Sequence, residues 1–269
     1  MKSVFNIFIC CVFFAAMGCS PVYYQPNLMN MPNFREKGEV YLAASKSNDG
    51  GDVQAAYAFS NHFAVQANFM KLGREGGTSI TAGSTTTTNT IVVKGYLGEA
   101  AIGFYSPMGK TATFSLFGGY GLGKISNNWA SKGASLANFN KPFIQPTLGL
   151  RYNSFELIYS AKLANLTYYN QSEHYNDQDF ISDFQALKRP IAILETGGAI
   201  RVGWKFLKFQ WQVTTMQLLK ASTPSLKYHD TSMDFGVCIQ LNSRKEAETK
   251  PPKSKKKESD PHKVRYKLF

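Results

Sequence analysis

Between residues 38 and 241, apolar and polar positions alternate with period two in one run after another. Val53, Ala55, Tyr57 and Phe59 alternate with Gln54, Ala56, Ala58 and Ser60. Phe63, Val65, Ala67 and Phe69 then alternate with His62, Ala64, Gln66 and Asn68, and Ser60-Asn61-His62 between the two runs reads as a tight hairpin turn. The same grammar continues through Tyr96–Phe104, Phe114–Leu122, Ile144–Tyr152, Phe155–Leu163, Ile200–Phe206, Phe209–Val213 and Met233–Leu241. Successive strand side chains point to opposite sides of a sheet, so each run predicts a strand with one apolar face. With Gly38–Ser47 added, about ten strands are predicted, and helical periodicity is nearly absent.

The connections carry further information. Short turns fall near 60–62, 106–110, 153–154 and 206–208, and longer links near 72–90, 126–141, 170–190 and 218–228. Long and short alternate along the chain, as they do in outer-membrane barrels with tight periplasmic turns and longer outer loops. The pattern predicts an all-β fold: a closed, antiparallel, up-and-down barrel of eight to ten strands, of outer-membrane type, over 38–241. An even strand count lets the last strand close on the first and abolish both edges.

The polar face carries Glu99, Arg151, Glu156, Lys162, Glu195, Arg201, Lys205 and Lys208. In so narrow a barrel these charges have to pair across the lumen, which predicts a plugged barrel or a very narrow passage. Tyr57, Phe59, Phe63, Phe104, Tyr105, Tyr152, Phe155, Trp204 and Phe206 sit beside the short turns and predict an aromatic girdle. Alternation alone leaves open which face is inside. A soluble, lipocalin-like lipoprotein holding a hydrophobic ligand in an apolar cavity is the alternative.

The first 37 residues are of another kind. Lys2 precedes an apolar run from Val4 to Gly18, too short for a comfortable permanent span and shaped like an export signal. The run closes on Ala16-Met17-Gly18-Cys19, which resembles a bacterial lipobox, with Ala16 where Leu is commonest. This reading assigns 1–18 to a lipoprotein signal peptide, makes Cys19 the acylated (palmitate-bearing) N-terminus, and leaves 19–37, rich in Pro and Asn, as a lipidated tether. Cys10 and Cys11 leave with the signal, so Cys238 remains alone and no disulfide or metal-type Cys pair is available.

Cys19-Ser20-Pro21 with its short tether, Glu36-Lys37-Gly38-Glu39 and the stretch from Gln54 to Asn68 resemble the small lipidated β-barrel proteins of Bacteroidota outer membranes. The likeness covers most of 19–241. It implies a barrel anchored in the outer membrane of a Gram-negative bacterium, and it brings no catalytic residues, because such proteins mostly lack an assigned activity.

The 269 residues carry a formal charge of +12, which invites a nucleic-acid reading until the charge is located. The tail 242–269 alone holds +6, with Pro251-Pro252 and Lys255-Lys256-Lys257, and reads as disordered. The even strand count places this tail in the periplasm together with the lipid anchor, where anionic lipid or cell-wall polymer are its candidate partners; an exported chain has little access to nucleic acid. Outer-membrane lipid is the partner of the barrel itself. Chemistry is sparse. His174 with Ser172, Glu173, Asp177 and Asp179, and His229 with Asp230 and Ser232, are the candidates for a lipid-modifying hydrolase. The acidic loop 173–183 matches no calcium-loop spacing, and Thr85–Thr88 reads as a loop tip. No catalytic, metal or cofactor site is assigned; Cys19 is the one site residue. The predicted role is structural, binding or narrow transport, without catalysis.

Overall fold

The computed structural model describes residues 21–242 apart from 48, 83–84, 130–132, 153, 176–186, 205 and 220–225. The signal, Cys19 and the basic tail lie outside the described residues. Ten strands form in chain order: β1 (Glu39–Lys46), β2 (Gly50–Tyr57), β3 (Phe63–Ala82), β4 (Thr85–Met108), β5 (Ala112–Trp129), β6 (Gly133–Tyr152), β7 (Phe155–Tyr175), β8 (Ile191–Gly203), β9 (Leu207–Leu218) and β10 (Thr231–Asn242). Each pairs antiparallel with its neighbours in sequence, and β1 pairs with β10, from Glu39↔Asn242 to Lys46↔Phe235, so the barrel is closed.

Two of the predicted long links are strand instead. Residues 72–82 and 85–90 continue β3 and β4 as a ladder that runs to Ala82↔Thr85, and most of 126–141 continues β5 and β6 to Trp129↔Gly133. The Thr85–Thr88 run therefore belongs to β4, in keeping with the preference of β-branched residues for extended chain. The alternation of short and long survives mainly as strand length: β3 to β7 project past the others at one end, here called the loop end, and the tight turns mark the other.

The alternation resolves with its apolar set outside. Tyr152, Phe235, Phe209 and Trp204 are 62–68% exposed, and Ile102, Leu122, Ile144, Tyr159 and Leu163 are exposed as well. On β5 the outward apolar residues run from Phe114 to Leu122. That distance is about 27 Å along a strand, or about 20 Å along the axis at a tilt of ~40°, close to the height of an outer-membrane apolar band. The expected girdle stands beside the short turns with one exception. Tyr105 points inward, is fully buried, and packs on Phe34 at 5.7 Å between ring centroids.

The largest departure concerns residues 21–37. They are irregular, as their Pro and Asn content predicts, but they are not an external tether: they run through the lumen. Tyr24 bridges to Tyr228 and the Tyr23 amide donates to the Lys227 carbonyl at the loop end, whereas Arg35 donates to the Gly109 carbonyl at the turn end. From Tyr24 to Arg35 an extended chain reaches about 36 Å, enough to traverse the barrel. The physical reason is accommodation of the charged inner face: an irregular backbone supplies carbonyls and amides where luminal side chains have no other partner. Pro21 therefore lies at the loop end and Asn242 at the turn end, not on the same side as the sequence reading had them.

Candidate functional site

Of the features described, the lumen is the one that brings chemistry together. Strand alternation alone aims Gln54, Asn68, Glu99, Lys141, Gln145, Glu156, Lys162, Glu195, Arg201, Lys208, Gln210 and Gln212 inward, and all of them are buried. The N-terminal strap threads between them. Tyr23, Asn27, Leu28, Met29, Asn30, Met31, Asn33 and Phe34 are each at most 1% exposed.

Two charge clusters hold it. Nearer the loop end, Glu99, Lys141, Lys162 and Glu195 form a balanced quartet. Lys141 pairs with Glu99 and lies 3.3 Å from Glu195, while Lys162 lies 2.8 Å from Glu99 and 3.6 Å from Glu195. The strap enters this quartet directly. The Tyr24 hydroxyl donates to Glu195 and accepts from Lys141 Nζ at 2.9 Å, and Asn27 accepts from Lys141 at 3.1 Å and donates to Glu99 at 3.0 Å.

Nearer the turn end, Glu156 receives Arg201 (3.3 Å), Arg151 (3.1 Å) and Lys208, and Arg151 also reaches Glu39 at 3.4 Å. Three cations here face two acids, and the guanidiniums turn their remaining donors onto the strap. Arg201 Nη2 donates to the Met31 carbonyl at 3.0 Å and Arg151 donates to the Asn33 carbonyl. Arg201 also donates to the Tyr41 hydroxyl at 2.8 Å and to Gln210 at 2.7 Å, so the five-donor fork of an arginine is well used.

Between the clusters, amides of the wall read the strap backbone. Asn68 donates to the Leu28 carbonyl, Gln54 and Gln212 to that of Met29, and Gln145 to that of Asn30, while Asn30 returns two bonds to the Ala55 and Ala67 carbonyls. At the loop end Val22 and Asn127 exchange two hydrogen bonds.

The charges predicted to pair across the lumen do so, with Lys205 outside the described residues. Sequence reasoning misses Glu39 and Lys141: Lys141 lies in a stretch whose Asn, Ser and Gly content suggests a loop, and Glu39 lies at a strand start where too little alternation precedes it to mark the inward face. The strap was missed as well, although Asn27, Asn30 and Asn33 recur every three residues amid apolar neighbours, a spacing that a solvated tether does not need. The hydrolase candidates do not assemble among the described residues. His174 sits exposed on β7 opposite Ala134, His229 Nδ1 contacts the Thr231 carbonyl, and Ser232 donates to Asp234. Asp177, Asp179 and most of the acidic loop lie outside the described residues. The soluble lipocalin-like alternative is also corrected: its interior would be apolar and vacant, whereas this interior is polar and filled and the apolar face is outside.

These features define a class: a closed, ten-stranded antiparallel β-barrel of outer-membrane type, with its lumen occupied by its own N-terminal segment. No family model matches the chain, and no curated protein does. Among solved structures it is similar to Ail, the attachment invasion locus protein of Yersinia pestis, at 10% identity over 76% of this chain and 99% of that one, with a TM-score of 0.30.

Proposed function

We propose that this chain is an outer-membrane lipoprotein whose barrel is a sealed structural and binding platform, without catalysis and without an open passage. The observation that carries this reading is the strap: a polar lumen under an outward apolar belt is closed by residues 21–37 through bonds to both charge clusters. The apolar belt supports residence in the membrane because it matches the lipid-facing band of such barrels, and the irregular strap at that depth is enclosed by protein, where such backbone is tolerated. In this reading Cys19 carries the acyl chains. Since Pro21 stands at the loop end, the anchor enters the loop-side leaflet, while the basic tail leaves at the turn end toward the periplasm.

The test combines two measurements on membrane-extracted protein. Unheated protein should migrate faster than boiled protein on a denaturing gel, the signature of an intact barrel. Labelled palmitate should enter the wild type and be lost from Cys19→Ala with the barrel signature unchanged. A single unheated-and-boiled band, or release of the protein from membranes by salt alone, overturns the membrane reading; palmitate retained in Cys19→Ala overturns the lipid anchor.

A further inference from the structure

Where the apolar belt ends at the loop end, four lysines collect on one side of the barrel. Lys46, Lys71 and Lys124 lie in one row of register, joined as Lys46↔Gly51↔Lys71↔Tyr96↔Lys124, and Lys94 stands one step above, opposite Gly73 and Ser126. Residues directly opposite in an antiparallel ladder share a face. All four lysines are therefore outward, and Lys46, Lys71 and Lys94 are exposed. On β6, β7, β9 and β10 the belt ends in uncharged residues, Asn140, Asn165, Thr215 and Thr231, while Lys188 and Arg189 are exposed in the link ahead of β8 and not on a strand. A general need for cations at the interface does not explain a cluster confined to β1–β5.

Lys71, Lys94 and Lys124 border an open recess of about 620 Å³. Its lower wall is apolar: Phe69 and Tyr96, both about half exposed, stack at 6.4 Å between centroids. Its centre is left free by Gly73, where an added Cβ would meet nothing within 4 Å. Among the described residues none of the four lysines has an ion pair; the basic groups that do are Arg74, Lys141, Arg151, Lys162, Arg201 and Lys208. Like charges held side by side on a sheet repel, and Glu75, the one outward carboxylate of β1–β5, stands diagonal to Lys94 without an ion pair to it, so the four lysines keep an excess of positive charge.

We infer that the recess binds the phosphorylated headgroup of a lipid in the loop-side leaflet, the phosphate lying among Lys71, Lys94 and Lys124 and the acyl chains descending over Phe69 and Tyr96. Lys46 adds long-range attraction from the neighbouring strand. Height, charge and shape agree: the cations stand at the level of the headgroups, the aromatics directly below them, and the glycine between. The inference rests on the membrane reading given above.

Purified full-length protein in detergent is presented with phosphatidylglycerol, with diacylglycerol lacking the phosphate, and with inorganic phosphate, and retained lipid is counted by native mass spectrometry. Wild type should keep one phosphatidylglycerol and neither of the other two. Lys71→Gln/Lys94→Gln/Lys124→Gln should lower affinity by about a hundredfold, from roughly fivefold per lysine. Lys255→Gln/Lys256→Gln/Lys257→Gln, equal in charge but in the tail, should leave retention unchanged. Equal retention of diacylglycerol, retention of free phosphate alone, or loss of lipid in the tail variant rather than the barrel variant each overturns the site. Heat-modifiable migration is checked in every variant. If it is absent from wild type the membrane reading itself fails, and if it persists while lipid binding is unaffected by the barrel lysines, only the site fails.

Discussion

Arg201 shows how much a single luminal side chain holds. It is fully buried, 3.3 Å from Glu156, bonded to the Met31 carbonyl, Tyr41 and Gln210, and seated 4.5 Å over the Tyr41 ring. Such a charge contributes little net stability when fully paired, but removing one partner leaves the others buried and unsatisfied. Arg201→Met should therefore cost about 3–5 kcal/mol, read as a clear fall in the temperature at which the unheated gel form converts to the boiled form. Val202→Met, one residue on and facing outward, should leave that temperature nearly unchanged, because its side chain is 51% exposed on the apolar belt. Equal effects of the two substitutions would mean that the cluster carries no special weight. Arg201 was legible in the sequence as a luminal charge, because it stands between Ile200 and Val202 in an alternating run. Its bond to Met31 was not legible, because no local pattern ties residue 201 to residue 31.

At the scale of the element, the strap is the piece to remove. Its carbonyls from Leu28 to Asn33 receive bonds from Asn68, Gln54, Gln212, Gln145, Arg201 and Arg151, so the wall has been shaped for this one occupant. Wild type reconstituted in a planar bilayer should be electrically silent. Deletion of residues 22–34 should give stepwise conductance, with the Glu99–Lys141–Lys162–Glu195 quartet now facing water, at a visible loss of thermal stability. A silent deletion variant that still shows the heat-modifiable shift would show that the walls close without the strap. The strands themselves were legible because period-two alternation is a local signal, and nearly all the outward aromatics fell where it put them. The long links were misread at 72–90 and 126–141 because Gly, Thr, Asn and Ser suggest loops locally, while ladder pairing such as Thr81↔Thr86 and Asn127↔Ser135 is set by the partner strand. The strap escaped for a related reason: a segment without alternation reads as a linker, and only the spacing of Asn27, Asn30 and Asn33 and the excess of luminal cations hint that it is needed inside.

At the scale of the whole molecule, threading fixes the sidedness of the two ends. An up-and-down barrel with an even number of strands returns its strand termini to the same rim, and Glu39 and Asn242 do pair. The strap adds one more crossing, so its first residues stand at the loop end, where Val22 meets Asn127 and Tyr23 meets Lys227. Large loops face the exterior in barrels of this type. An epitope placed between Ser20 and Pro21 should bind antibody on intact cells, and one appended after Phe269 should bind only after the outer membrane is opened. Protease added to intact cells should remove the first epitope and spare the second. The two labels together keep orientation and threading apart. The reverse pattern would mean an inverted barrel that is still threaded. Two epitopes on the same side would mean that the strap does not cross, and with it would fall the sealed lumen on which the proposed role depends.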